Sequence, residues 1–507
     1  MQSFGHHDSA LLAGRARAVW ACAGMLVAAL PALCMWGFTV DDALISVRYA
    51  RHLATGLGWR FDAGAASTDG VTPLPWPLIL VPMARTGDAL AVLGRSQRLG
   101  LALWMLTGLL LGDRIGRARG APVWARGAIL ASVALSVPLA AHAVSGMETP
   151  LATLLATYAA IGARRPLVAA VFAGLTASLR PEMAPWACAL AAGLSVASRG
   201  GVARAVLAGC AALIPFAVCA IIRTWAWGRP APLAVWAKPS DLYHGVAYAG
   251  AALVVGVVPI LVAAPSALRR APRGLAIVVA AAVHVVAIAM VGGDWMPYAR
   301  LLVPVLPSVV YAAALVAARA RPAATAARCL AAWTLGAWCL VQSRGEGRRV
   351  GTDRAALIAL ARPCLRPLTR IAALDIGWVG AATEADIVDL AGVTDPVVAA
   401  LRGGHTSKRV GSMFLLGRDP DGILLYCPKG LPNGQLAEWR DAEYPRVVED
   451  RLAQDDVIAR HFAPVAWLAL GPRGAGYVLL RKVAPAAVGD PGEQYPRGDR
   501  QDAMHAR

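Results

Sequence analysis

The amino-acid sequence predicts a mainly α-helical, polytopic membrane protein with a small α+β domain at its C-terminal end. Three observations carry that prediction. The 507 residues are 57% hydrophobic and only 16% charged, with a mean hydropathy of +0.54, too apolar for a water-soluble domain. Apolar stretches recur near 19–38, 97–112, 127–142, 150–162, 166–180, 183–198, 205–224, 246–264, 274–291, 301–318 and 324–342, which suggests about eleven transmembrane helices. The charge is also lopsided. Before Arg344, 27 Lys and Arg stand against 11 Asp and Glu, whereas the rest of the chain is nearly balanced at 22 and 20.

The basic residues set an orientation. Arg15/Arg17, Arg114/Arg117/Arg119/Arg126, Arg164/Arg165, Arg199/Arg204, Arg269/Arg270/Arg273 and Arg319/Arg321/Arg328 fall at every second connection, as retention of positive charge on the cytoplasmic side requires. The N-terminus is therefore expected in the cytoplasm, the chain in the cytoplasmic (inner) membrane, and the tail outside after an odd number of spans. This placement also accounts for the formal charge of +18, so no nucleic acid is expected as a partner; membrane lipid is.

The first apolar run ends at Phe38 without a small-x-small cleavage pattern, and it reads as a retained span rather than a signal peptide. Residues 39–96 form the first outer loop of a transmembrane core taken as 1–343. Within the loop, Asp41 to His52 has helical composition, with Asp41, Ile45, Arg48 and His52 on one face and two carboxylates in the first turn. The stretch from Pro75 to Leu93 is interrupted by Pro77 and Pro82 and is expected to lie re-entrant or interfacial. The outer connections at 145–150, 180–182, 225–245 and 292–300 are polar and punctuated by Gly and Pro, whereas the inner ones carry little except arginine. Chemistry is thus expected outside.

From Arg344 the composition is that of a soluble domain, taken as 344–483, followed by a Gly/Pro/charge-rich tail, 484–507, expected to be disordered. Strands are expected at Arg370–Leu374, Ile387–Leu390, Gly422–Tyr426, Ala466–Leu470 and Tyr477–Val483, and helices near 395–402 and 445–460. Seven of the nine cysteines lie in apolar spans as small hydrophobes. Cys364 and Cys427 lie in the tail, and whether they pair is open.

Carboxylates beside a bilayer are expensive unless they have a partner or a task. Asp41 and Asp42 suit a general base that deprotonates an attacking hydroxyl; the alternative is a helix cap beside a solvated acid. Arg48, Arg180, Lys238 and Arg300 are outer-side cations suited to a lipid phosphate, or to headgroup anchoring. Glu148, Glu182 and Asp294 can pair with Arg180 and Arg300.

The first-loop segments Asp41–Ala50, Gly56–Gly64 and Asp69–Trp76, together with Ser145–Thr149, Arg180-Pro181-Glu182, Gly293–Pro304, Asp375–Gly380 and Asp389–Pro396, resemble the multi-spanning GT-C glycosyltransferases related to the terminal arabinofuranosyltransferase of the actinobacterial cell wall. The likeness spans roughly residues 39–400. It implies a GT-C fold and inverting transfer of a sugar from a polyprenyl phosphate donor to a cell-envelope glycan acceptor, with Asp69, Thr72, Trp76, Trp295 and Tyr298 joining Glu148, Glu182 and Asp294 around sugar or acceptor. The segment Asp69-Gly70-Val71-Thr72-Pro73-Leu74 lacks the Tyr and Asn usual in that group, so arabinofuranose and other pentoses or hexoses stay open, as does a divalent cation. The rival functions are a lipid-linked sugar transporter or flippase, which would show polar sites near the midplane, and an assembly protein acting through its outer domain.

Overall fold

The computed structural model describes residues 4–256 and 265–483. The fold is 66% helix, with an apolar helical bundle followed by a small C-terminal sheet. The expected tail at 484–507 lies outside the described residues, as does part of the apolar segment 246–264.

Proline opens many of the helices. Pro75, Pro150, Pro166, Pro185, Pro272 and Pro322 each occupy a first turn, where the missing N–H has no intrahelical partner to lose. Asp88 and Asp241 cap the helices Ala89–Gly116 and Leu242–Val255 through the N–H groups of Ala91 (3.0 Å) and His244 (3.1 Å). The first helix, Phe4–Cys34, crosses Ala89–Gly116 backbone to backbone: a Cβ on Gly24 would fall 2.1 Å from the Gly108 carbonyl oxygen, and one on Gly112 2.1 Å from that of Trp20. Glycine at four-residue spacing is what allows this approach.

Among the described residues, six helices are long and apolar enough to cross a bilayer: Gly14–Cys34, Ala89–Gly116, Val202–Trp227, Pro272–Met290, Arg300–Ala317 and Pro322–Leu365. The pair Val123–Leu135 and Val137–Ala143, bent by 58°, makes a seventh if it is one span. Helix occupies the other apolar segments too, but in short pieces. Pro166–Leu179, Ala184–Ala197 and Leu242–Val255 have 14 residues each, about 21 Å at ~1.5 Å rise per residue against a hydrocarbon core of ~30 Å. Apolar composition identified the helices, and the Gly/Pro/Arg turns between them set their lengths. The Pro75 to Leu93 stretch is a ten-residue helix, Pro75–Ala84, that breaks before Ala89.

The C-terminal sheet has five strands, β1 (Arg370–Ala373), β2 (Asp386–Asp389), β3 (Gly422–Cys427), β4 (Phe462–Ala469) and β5 (Gly476–Lys482), in the order β2-β1-β3-β5-β4. β1 pairs parallel to β2 and β3, and β5 pairs antiparallel to β3 and β4. All five strands fall where extended segments are expected, and helices Pro396–Ala400, Val447–Gln454 and Asp456–His461 fall in the expected helical stretches. Cys364 and Cys427 are both free thiols, Cys427 buried within the sheet core.

The first loop joins bundle to sheet. Its helix Asp41–Ala54 packs against Ile376–Ala382, the helix linking β1 to β2, so closely that a Cβ on Gly377 would lie 2.1 Å from the Asp41 carbonyl oxygen. Arg48 locks this contact. Its buried guanidinium donates to the carbonyls of Phe61 (2.7 Å), Gly380 (3.1 Å), Thr383 (3.0 Å) and Ala385 (2.9 Å) and meets Asp62 at 3.1 Å. Burial pushes the Asp62 carboxyl up to about 7 even against the pull of Arg48.

Because a planar five-donor fork serves this geometry and an ammonium does not, Arg48→Lys and Arg48→Ala should both destabilise the protein by about 3–5 kcal/mol through orphaned carbonyls and an unpaired Asp62. Thermal unfolding in detergent measures this, and a loss below about 1 kcal/mol would show that solvent replaces the clamp.

Candidate functional site

Where the ends of several bundle helices converge, the connections at 145–150, 180–182, 225–245 and 292–300 help enclose a cavity of about 640 Å³. Asp42 enters it from the first turn of Asp41–Ala54, and Gly70 to Pro73 from the first loop. Met147 and Glu148 come from the turn before Thr149, Arg180 and Glu182 from the break between two short helices, and Lys238 from the end of Leu233–Ala237. Asp294 and Arg300 come from the loop after Pro272–Met290. The lining also includes the apolar residues Pro185, Phe216, Ala220, Ala287, Met290 and Val291. The cavity is therefore amphiphilic, with its polar end set by turns and its apolar side by helices long enough to meet lipid.

Its charges are arranged in pairs. Arg180, almost fully buried, donates from Nη1 to Glu148 at 2.7 Å and from Nε to Glu182 at 2.8 Å. Arg300 donates from Nε to Asp294 at 2.7 Å, and its Nη1 stands 3.8 Å from Asp42. Burial pushes Asp294 up, but Arg300, Lys238 and Arg180 outweigh it and hold the carboxyl below the usual carboxylate range. Consecutive left-handed residues, Tyr298 (φ 61°) and Ala299 (φ 50°), turn the chain back so that Arg300 meets Asp294; such backbone is costly for side chains with a Cβ and concentrates at functional sites. Among the described residues, the buried atoms Arg180 Nη2 and Glu148 Oε2 at the cavity and Asp69 Oδ1 behind its wall have no hydrogen-bond partner. Each carries a desolvation penalty that, for the two at the cavity, a polar ligand would relieve.

The two adjacent aspartates part company. Asp41 faces the sheet domain, where its carboxylate accepts the N–H groups of Gly377 (2.7 Å) and Trp378 (2.9 Å) and pairs with Arg354 at 2.8 Å. Burial raises it to about 6 against those partners, so it is ionised and engaged at neutral pH. Asp42 points the other way, with a side chain 37% exposed and the 3.8 Å approach of Arg300 as its one ion-pair contact among the described residues.

Of the other expected site residues, Arg180, Lys238, Glu148, Glu182, Asp294 and Thr72 line the cavity. Glu148, Glu182 and Asp294 do so while paired with Arg180 or Arg300. Three expectations need correction. Arg48 is spent on backbone carbonyls and Asp62, remote from any phosphate pocket, because the helix turns it toward the sheet. Trp76 is fully buried in the hydrophobic core. Tyr298 packs edge-on against Phe38, ring centroids 5.3 Å apart, rather than facing the cavity. Asp69 sits behind the wall, and Trp295 stands at the rim, 64% exposed.

Sequence reasoning missed Arg223. It lies in the helix Val202–Trp227 and lines the cavity, donating to Asp69 at 2.7 Å and to the carbonyls of Val71 (3.1 Å) and Thr72 (2.7 Å). The signal was available: it is an arginine at the edge of an apolar span, set aside because the outer loop was taken to begin after it. A larger groove, about 960 Å³, runs past Arg51, Asp88, Arg362 and Glu384, but these charges pair with one another across it. Among the described residues no group of three or more His, Cys, Asp and Glu is placed to hold a metal ion.

Comparison of the chain with known protein families, curated proteins and solved structures gives no match.

The pairing pattern separates structural from free carboxylates. Glu148→Ala should cost about 1.5–3 kcal/mol by removing a charged hydrogen bond to buried Arg180, which keeps Glu182, whereas Asp42→Asn should leave the unfolding temperature within error. A stability loss in Asp42→Asn as large as that in Glu148→Ala would make Asp42 another structural ion-pair member.

Proposed function

We propose that the protein is a GT-C-type membrane glycosyltransferase that moves a sugar from a polyprenyl phosphate to a cell-envelope glycan. The observation that carries this reading is the cavity itself: a free carboxylate, Asp42, opposite an arginine and an unpaired lysine, with an apolar flank along helices that meet lipid. An amphiphile with a small anionic head suits such a site. Arg180, Arg223 and Arg300 each have a carboxylate partner, while Lys238 has none among the described residues. Lys238 is thus the cation at the cavity that a phosphodiester head can meet without displacing a close carboxylate partner. The motif likeness points to the same donor class, with arabinofuranose as one candidate sugar.

In this mechanism the acceptor hydroxyl oxygen attacks the anomeric carbon while Asp42 takes its proton. The bond from that carbon to the phosphate oxygen breaks, and its electron pair leaves with the polyprenyl phosphate. Lys238 and the outer face of Arg300 offset the charge that develops there. A single displacement inverts the anomeric centre. Glu148 Oε2, which has no hydrogen-bond partner among the described residues, offers an acceptor for a sugar hydroxyl. Asp41 positions the base by fixing the first turn of its helix against the sheet domain. The orientation belongs to the same proposal: about eleven crossings, the shorter helices included, with the N-terminus cytoplasmic and the sheet domain extracytoplasmic, so that donor and acceptor meet outside. The rival transporter reading calls for a polar route through the bundle, whereas the paired charges described here collect around one cavity.

With purified enzyme, donor and acceptor, Asp42→Asn should lower turnover by about 10²–10⁴-fold without changing donor affinity, because an amide cannot accept the proton. Lys238→Ala should weaken donor binding, and Arg300→Lys should retain more of it than Arg300→Ala. Near-normal turnover in Asp42→Asn, or full loss in Asp41→Asn with Asp42→Asn active, would move the base elsewhere.

A further inference from the structure

Trp295 follows Asp294 directly and is tied to it, its N–H donating to Asp294 Oδ1 at 2.9 Å while Oδ2 holds Arg300. Its indole is therefore one residue from the cavity yet 64% exposed. It is also held in place. The His244 ring lies parallel to it, centroids 4.3 Å apart at 13°, and His405 approaches at 5.6 Å and 59°. His244 is fixed by donating from Nδ1 to the Gly292 carbonyl at 2.7 Å, which leaves Nε2 without a partner among the described residues. His405 comes from the sheet domain, on a loop pinned by buried Lys408, whose ammonium donates to the carbonyls of Ala399 (2.8 Å) and Leu401 (3.0 Å). The His405 ring has no hydrogen bond among the described residues. Burial, with Lys238 and Arg446 adding to it, holds its pKa down to about 3, so the ring is neutral, with one nitrogen to donate and one to accept.

From this arrangement we infer that Trp295, His244 and His405 form a binding platform for a neutral saccharide at the rim of the cavity, the subsite of the acceptor glycan. The inference rests on the proposed glycosyl transfer and names the second substrate's seat. A sugar ring offers a C–H face flanked by hydroxyls; an indole face takes the first and imidazole nitrogens take the second. A membrane-interface tryptophan needs no such frame of imidazoles. The platform joins three separate elements, the loop after Pro272–Met290, the start of Leu242–Val255 and a loop of the sheet domain. That domain also supplies Val393 to the cavity wall, and its Ala399 packs on Leu233 and Ala237 next to Lys238. Acceptor recognition is thereby built into the docking of the sheet domain.

The test uses full-length protein in detergent, titrated by calorimetry with neutral tetrasaccharides of arabinofuranose and of glucose, and separately with a non-hydrolysable polyprenyl-phosphate sugar analogue. Trp295→Ala should weaken binding of the preferred tetrasaccharide by about tenfold, Trp295→Phe should restore most of it, and His405→Ala should weaken it by less. Donor affinity should be unchanged in all three. Failure of both tetrasaccharides to bind, equal binding by wild type and Trp295→Ala, or a parallel loss of donor affinity would each overturn the platform. Saccharide binding that depends on Trp295 in a protein with no transfer activity would uphold the platform and overturn the transferase.

Discussion

The arrangement depends first on burying arginine inside an apolar bundle. Arg180 is almost wholly removed from solvent and is tolerable there because Glu148 and Glu182 close on it from two sides. An isolated charge in that position would cost several kcal/mol, and removing one of the two partners costs part of that, since the other remains. Arg300 with Asp294, and Arg223 with Asp69, repeat the solution around the same cavity. These pairs do more than neutralise: Arg180–Glu148 and Arg223–Asp69 tie together segments distant in sequence, and Arg300–Asp294 closes the loop after Pro272–Met290 on itself. A cavity walled by turns, which alone would be mobile, is thereby cross-braced.

Against that background the exceptions gain meaning. Asp42 and Lys238 are the cavity charges without a close, dedicated partner, and they face the same space. Asp42 owes its position to its neighbour. Asp41 is held by two N–H groups and Arg354, and Arg48, two turns along the helix, is held by four carbonyls of the first loop and the sheet domain. The sheet domain thus acts on the site twice, by setting the helix that presents Asp42 and by bringing His405 to the rim.

Much of this was legible in the sequence, at a particular level. Apolar runs revealed the helices, and alternating hydrophobic segments after Arg344 revealed all five strands, because periodicity and turn residues act locally. Span lengths were less legible: composition marks a 14-residue helix such as Pro166–Leu179 as apolar, but its length of about 21 Å at ~1.5 Å rise per residue falls short of a hydrocarbon core of ~30 Å. The gathering of carboxylates on alternate turns pointed to loops that line the cavity. It could not say which of Asp41 and Asp42 faces the cavity, since adjacent residues on a helix point about 100° apart and the direction is fixed by packing on Gly377. Arg48 and Trp76 were misassigned for the same reason; residue type suggested a ligand contact, and tertiary packing turned them inward. Arg223 and His405 became visible only when distant segments were brought together.

The central claim is that the anionic head of a lipid-linked substrate sits between Lys238, Arg300 and Asp42. It is tested most directly by a polyprenyl-phosphate analogue with a photoreactive diazirine on the first isoprene unit, irradiated with the purified protein and mapped by peptide mass spectrometry. The account predicts cross-links to the apolar flank, at Phe216, Met290 or Val291 or in the segment 230–238, that are competed by unlabelled polyprenyl phosphate. Competed cross-links confined to the groove at Arg51, Asp88 and Arg362, with none in these segments, would contradict it.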